Sequence, residues 1–211
     1  MTVVAIRSVE KRDWPAFRRL IGEFNPRIAA LRSPISYRAV FADAFKTRNI
    51  VIVVAEATDG LVGFSVAAID WKRYQYRFPL RHPLVATLSV GKKLLDGLRI
   101  RLRVRGGPEQ DEAEASVSDE KSWGDSSPEI AKVIYTGVSE AYRNRGVAYD
   151  LARYRTELLR KRGVRRVDAL VSPRNTAAIR LNEKLGYSLR NGGDVLLVSR
   201  ELAPDEPSER G

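Results

Sequence analysis

The sequence predicts a mixed α/β domain, and three observations carry that reading. Strand-length apolar runs alternate with helical patterns over the last third of the chain. Two β-rich runs meet at an Asp-Gly turn in the first third. A length of 211 residues, 44% hydrophobic and 30% charged, is enough for one domain with a sizeable core.

Taken in order, residues 3–9 read as a short opening strand. Residues 11–24 carry Trp14, Phe17, Leu20, Ile21 and Phe24 at helical spacing, and Asp13-Trp14-Pro15 suits a helix start. Pro26 and Pro34 punctuate the chain, after which residues 37–45 form a second helix with Val40, Phe41 and Ala44 on one face. Residues 50–55 and 61–67 make a hairpin around Thr58-Asp59-Gly60. From Trp71 to Pro128 the periodicity breaks down. This stretch opens basic and aromatic (Trp71, Lys72, Arg73, Tyr74, Tyr76, Arg77, Phe78, Arg81), continues with a leucine face over 84–98, and then alternates arginines over 99–105. Residues 109–125 are acidic and expected to form a loop. A strand at 132–138, a helix at 147–162 ending at Gly163, a strand at 166–171, a helix at 176–185 ending at Gly186 and a strand at 195–200 complete the pattern. Residues 1–203 thus read as a single domain with 71–128 inserted, followed by a polar tail over 204–211.

Composition excludes several chemistries. The chain has no cysteine, so it offers no disulfide framework, thiolate nucleophile or cysteine zinc site; its one histidine, His82, excludes a histidine metal cluster, and no metal is expected. His82, between Arg81 and Pro83, reads as a loop residue. No apolar run is long enough to span a bilayer and the first residues lack a signal-peptide pattern, so the expected compartment is the cytoplasm. A net charge of +11 fits an anionic cofactor, an anionic surface or a merely basic protein, and does not choose among them.

The chemistry concentrates in 138–148, Val138-Ser139-Glu140-Ala141-Tyr142-Arg143-Asn144-Arg145-Gly146-Val147-Ala148. A strand ends, a basic turn follows, and a helix opens on small residues. Unpaired amides and the positive end of the helix dipole suit a phosphate there. Gly146 leaves the backbone approachable, Ala148 keeps the next turn thin, and Arg143 and Arg145 add positive charge. Some thirty residues on, a strand runs into Asn175 as N-cap, then a helix with Ala178, Leu181 and Leu185 inward, then Gly186-Tyr187.

Together these stretches resemble the GNAT acetyltransferase superfamily. Arg143, Gly146 and Ala148 meet its Arg-x-x-Gly-x-Ala signature, and Asn175, Ala178, Leu181, Lys184, Gly186 and Tyr187 meet its second. The resemblance implies a GNAT fold whose single mixed sheet, flanked by helices, splays beside the cofactor strand, and acetyl-CoA as co-substrate. It implies pantetheine contacts at the backbone of Gly137 and Val138, pyrophosphate at the amides of Asn144, Arg145, Gly146, Val147 and Ala148, and a cofactor contact at Asn175. A backbone N–H near Val138 would polarise the thioester carbonyl. The customary acid and base are replaced: the positions that match them hold Lys132, Leu170 and Asn182. Glu129 and Tyr135 are the nearest substitutes, and Tyr187 fills a slot that is normally packing.

The activity implied is transfer of an acetyl or other short acyl group to a primary amine of a small molecule or amino sugar. A non-catalytic CoA-binding module and a protein N-terminal or lysine acetyltransferase remain the alternatives. For the insertion, four readings stay open: a packed subdomain, a lid that reads an anionic substrate, a surface over 71–105 for an anionic membrane, and one for nucleic acid. The assembly expected, if any, is a homodimer.

Overall fold

The computed structural model describes residues 3–23, 34–83 and 126–203. Seven strands, β1 (Ala5–Ser8), β2 (Ile50–Ala57), β3 (Gly60–Ile69), β4 (Ile130–Val138), β5 (Arg166–Val171), β6 (Ser188–Asn191) and β7 (Leu196–Glu201), form one sheet in the order β1-β2-β3-β4-β5-β7-β6. The helices are α1 (Trp14–Glu23), α2 (Pro34–Lys46), α3 (Trp71–Arg81), α4 (Val147–Lys161) and α5 (Thr176–Lys184). The β4–β5 pair is parallel, with α4 in the connection, and the other pairs are antiparallel.

Alternation along the strands sorts side chains onto two faces. Val51, Val53, Ala55, Ala131 and Val167 pack with Val147, Leu151 and Leu159 of α4. Ile50, Ile52, Val54, Phe64 and Val66 pack with Phe17 and Leu20 of α1, Phe41 of α2, and Trp71 and Tyr74 of α3. Each such fully buried side chain contributes roughly 1.5–3 kcal/mol relative to exposure. The central strands β2, β3 and β4 are thus held from both faces, which fixes their register.

The sheet splays at β4. Only Ile130–Val133 pair with β5, against Arg166–Ala169, whereas pairing with β3 continues to Val138 opposite Gly63. The register with β3 shifts between Val66 and Ala67, whose partners are Tyr135 and Val133, so Ile134 is an extra residue on β4. A bulge bends its strand and adds twist, and this one sits where β5 departs. Among the described residues, no strand pairs with the far edge of β4 beyond Val133. Gly63 allows close packing at that level, since a Cβ there would lie 3.1 Å from both the Gly137 carbonyl oxygen and Leu151 Cδ1.

Two expectations need correction. Residues 71–81, expected to lack a pattern, form α3: Trp71, Tyr74 and Phe78 share its inner face, and Asp70 caps it by accepting from the Arg73 N–H at 3.3 Å. Residues 188–191 form the edge strand β6, paired to β7 from Ser188↔Ser199 to Asn191↔Leu196. The leucine face of 84–98, the arginines of 99–105, the acidic stretch 109–125 and the tail 204–211 lie outside the described residues.

Candidate functional site

The open edge of β4 leads directly into the basic turn and the start of α4. Asn144 (φ 59°) and Gly146 (φ 84°) both adopt left-handed backbone, and Gly146 is the N-cap of α4. The first bond of the helical ladder runs from the Asp150 N–H to the Gly146 carbonyl at 3.0 Å, so the amides of Val147, Ala148 and Tyr149 precede it. A Cβ at Gly146 would find only Asp150 Oδ2, at 4.0 Å, so the approach to these amides is open. The result is a concave run of N–H groups at the positive end of a fifteen-residue helix.

The two arginines of the turn are placed differently. Arg143 Nε donates to the Val138 carbonyl at 3.1 Å, tying the turn to the end of β4. The Arg145 guanidinium lies 5.6 Å over the Tyr142 ring, and the Tyr142 hydroxyl donates to Asp59 Oδ1 at 2.8 Å. Asp59 belongs to the β2–β3 turn, so the hairpin supports Arg145 through Tyr142. This bond to Asp59 raises the Tyr142 hydroxyl above the usual tyrosine value. Asn175 caps α5 by accepting from the Ala178 N–H at 3.0 Å. Lys184 of α5 lies 4.9 Å over the Tyr149 ring and joins the two helices.

Of the two side chains expected to supply acid and base, only Tyr135 stands beside the splay, the slot between β4 and β5 beyond Val133. Tyr135 is on β4 just past the bulge, on the face covered by α1, α2 and α3, stacked on Phe64 with ring centroids 5.4 Å apart. Burial raises its hydroxyl above the usual tyrosine value, against a smaller opposing pull from Arg143. Tyr135 is therefore a protonated hydrogen-bond donor at neutral pH. Glu129 precedes β4 at its closed end, exposed, 3.6 Å from Arg165 Nε. Six residues of strand put it roughly 20 Å from Tyr135, so it does not join the slot.

Three polar clusters escaped the sequence reading. Lys132 and Asp168, each 1% exposed, form an ion pair across β4–β5 with Nζ 2.5 Å from Oδ2, while Ser199 Oγ donates to Asp168 Oδ1 at 2.7 Å. Arg155 of α4, 3% exposed, donates through Nη1 to Ser65 Oγ (2.7 Å) and Thr136 Oγ1 (3.3 Å), and through Nη2 to the Tyr187 hydroxyl (3.3 Å). Asp43 of α2, fully buried, meets Arg81 Nη2 at 3.0 Å and His82 Nε2 at 3.1 Å. His82 thus fastens the end of α3 to α2. A charged residue inside an otherwise apolar strand or helix face was the available signal for all three.

The acetyltransferase (GNAT) family model matches residues 104–187, which include β4, the basic turn, α4, β5 and α5. Over these residues, about two fifths of the chain, the sequence is similar to the GNAT acetyltransferases. The chain's fold is that of solved GNAT structures. The PaiA N-acetyltransferase from Thermoplasma acidophilum, solved with coenzyme A, superposes at a TM-score of 0.59 with 11% identity, over 95% of this chain and 99% of that one. AAC(6')-Iy, solved with the bisubstrate analogue CoA-S-monomethyl-acetylneamine, gives 0.56 with 17% identity, over 88% and 91%. At these identities the likeness establishes the fold. A mycothiol acetyltransferase from Corynebacterium glutamicum is 38% identical over 63 residues, 30% of this chain and 22% of that protein. The chain therefore matches about a fifth of the length of that curated relative. The splay and the glycine-led turn both fall inside the family match.

Proposed function

We propose that the protein is a cytoplasmic acyl-CoA-dependent N-acyltransferase that moves an acetyl group from acetyl-CoA to a primary amine of a small molecule. The observation that carries this reading is the edge of β4 beyond Val133, unpaired among the described residues, running into the open amide cradle at Gly146. An extended amide-bearing arm ending in a pyrophosphate matches those two features in that order. The amides of residues 144–148 and the Arg145 side chain would hold the pyrophosphate, and backbone groups at Gly137 and Val138 the pantetheine. The Val138 carbonyl already accepts from Arg143, so Arg143 acts mainly by fixing the end of the strand. Asn175 holds α5 beside the slot through its cap.

Acetyl-CoA supplies an activated acyl group; the chain supplies placement and hydrogen bonds. The amine would approach from the face of α1, α2 and α3, where Tyr135 and Phe64 stack. Tyr135, protonated, donates to the acceptor or to the acyl oxygen, and water takes the amine proton. The amine class is favoured by the acetylneamine analogue bound to AAC(6')-Iy and by the name of the mycothiol relative. Free thiol released from acetyl-CoA, measured against a panel of amines, amino sugars and peptides, tests the reading. Turnover on one small-amine class is expected. Acetyl-CoA binding without turnover on any amine would instead support a CoA-binding module.

A further inference from the structure

Arg155 is an ion out of place by ordinary rules. Its side chain is 3% exposed, its partners are three hydroxyls, its Nε has no hydrogen-bond partner, and among the described residues no carboxylate pairs with it. A guanidinium taken out of water without a counter-ion is strongly unfavourable, and such a group calls for an anion. The buried carboxylate nearest in the sheet register, Asp168, does not serve. It is paired with Lys132, which stands opposite Ala68 on the face of α1, α2 and α3, whereas Arg155 reaches Ser65 and Thr136 from the α4 face.

The position says which anion. Thr136 lies past Val133, the last β4 residue paired with β5, and is half-buried; among the described residues no strand pairs with that edge. Its hydroxyl touches Arg155 Nη1, so the positive charge sits one side chain behind the slot, level with the strand residues that precede Gly137 and Val138. Tyr187 accepts from Arg155 Nη2, which leaves its own O–H free to donate elsewhere.

Resting on the acyl-CoA reading above, we propose that Arg155 and Tyr187 form the leaving-group site, holding the sulfur of coenzyme A as a thiolate. As the amine nitrogen bonds to the acyl carbon, the C–S bond breaks and its electron pair stays on sulfur. The proton lost by the amine goes to water, so amide, thiolate and proton balance the reaction. A cation beside a thiol favours the ionised form, which supplies what an acid in the position of Asn182 otherwise would; Asn182 itself is tied to the Ala178 carbonyl at 2.8 Å.

The test reads the thiol directly. Coenzyme A bound to the wild-type chain should show the ultraviolet thiolate band well below the ordinary thiol value of about 8.5, and desulfo-coenzyme A should show none. Arg155→Met should abolish the band at neutral pH, keep acetyl-CoA affinity within about threefold, and lower kcat about 10²-fold. Arg155→Lys should retain part of the band. Tyr187→Phe, which keeps the ring and loses the donor, should move the thiolate titration upward and serves if Arg155→Met does not fold. An unchanged band in a folded Arg155→Met protein that binds acetyl-CoA overturns the leaving-group site alone. Failure of the wild-type chain to bind acetyl-CoA overturns the acyl-CoA reading and the leaving-group site with it.

Discussion

Replacing Lys132 by Met separates a structural charge from a catalytic one. Lys132 and Asp168 are each 1% exposed, with Nζ 2.5 Å from Oδ2. Removing one member of a buried pair costs about 3–5 kcal/mol, because the remaining charge loses its counter-ion in a poorly solvated place. Here Asp168 keeps the Ser199 hydroxyl at 2.7 Å and Arg166 Nε at 3.2 Å, both on Oδ1. That retained compensation puts the cost at the lower end, about 3 kcal/mol. At roughly 2–4 °C per kcal/mol for a chain of this size, Tm should fall by about 6–12 °C. The double variant Lys132→Met/Asp168→Leu removes both charges and should recover at least half of that loss, since apolar replacements for a buried pair are close to neutral. Thermal unfolding measures both. Turnover per folded molecule should change by no more than about threefold, under 1 kcal/mol of barrier, because the pair lies where β4 and β5 are still joined. A single-variant cost below about 1 kcal/mol, or a double variant no better than the single, would refute the reasoning. A hundredfold loss of turnover in folded protein would return Lys132 to the chemistry.

Two further predictions concern the frame around the slot. Arg7 donates to both carboxylate oxygens of Asp13 (2.7 and 2.9 Å) and to Glu56 (2.7 Å), which holds both carboxyls below their usual values. A folded-state value below the unfolded one gives stability that is full above about pH 4 and is lost as pH falls through the depressed values. Asp13→Asn should therefore cost about 1–2 kcal/mol at neutral pH and flatten the acid limb of a Tm–pH curve; an unaltered acid limb contradicts this. Asp59→Ala frees the Tyr142 hydroxyl and lets the ring beneath Arg145 wander. Coenzyme A affinity should fall by about three- to tenfold, close to 1 kcal/mol, and unchanged affinity would show that Arg145 needs no such support.

The parts legible in the sequence were those set by local chemistry. The Asp59-Gly60 turn, the Gly146 turn, the Asn175 cap and the glycines ending α4 and α5 each needed only neighbouring residues. Helix α3 was missed although Trp71, Tyr74 and Phe78 have helical spacing, because Pro79 and the many cations masked the stripe. Strand β6 was missed because Ser188, Leu189, Arg190 and Asn191 form an edge with one apolar residue. The ion pairs were illegible for another reason. Lys132 meets Asp168, and Asp43 meets Arg81 and His82, across register and helix crossings that no single segment encodes. Glu129 drew attention by its nearness to β4 in sequence; strand length decides its distance from the slot in space.

The central claim, that the β4 edge and the Gly146 turn cradle acyl-CoA, is tested most directly by calorimetric titration of acetyl-CoA into the wild-type chain and Gly146→Trp. The account predicts one-site binding to wild type and loss of that binding in the variant, with folding retained, because an indole at Gly146 fills the approach to the amides. No binding to wild type, or equal affinity in both proteins, would contradict it.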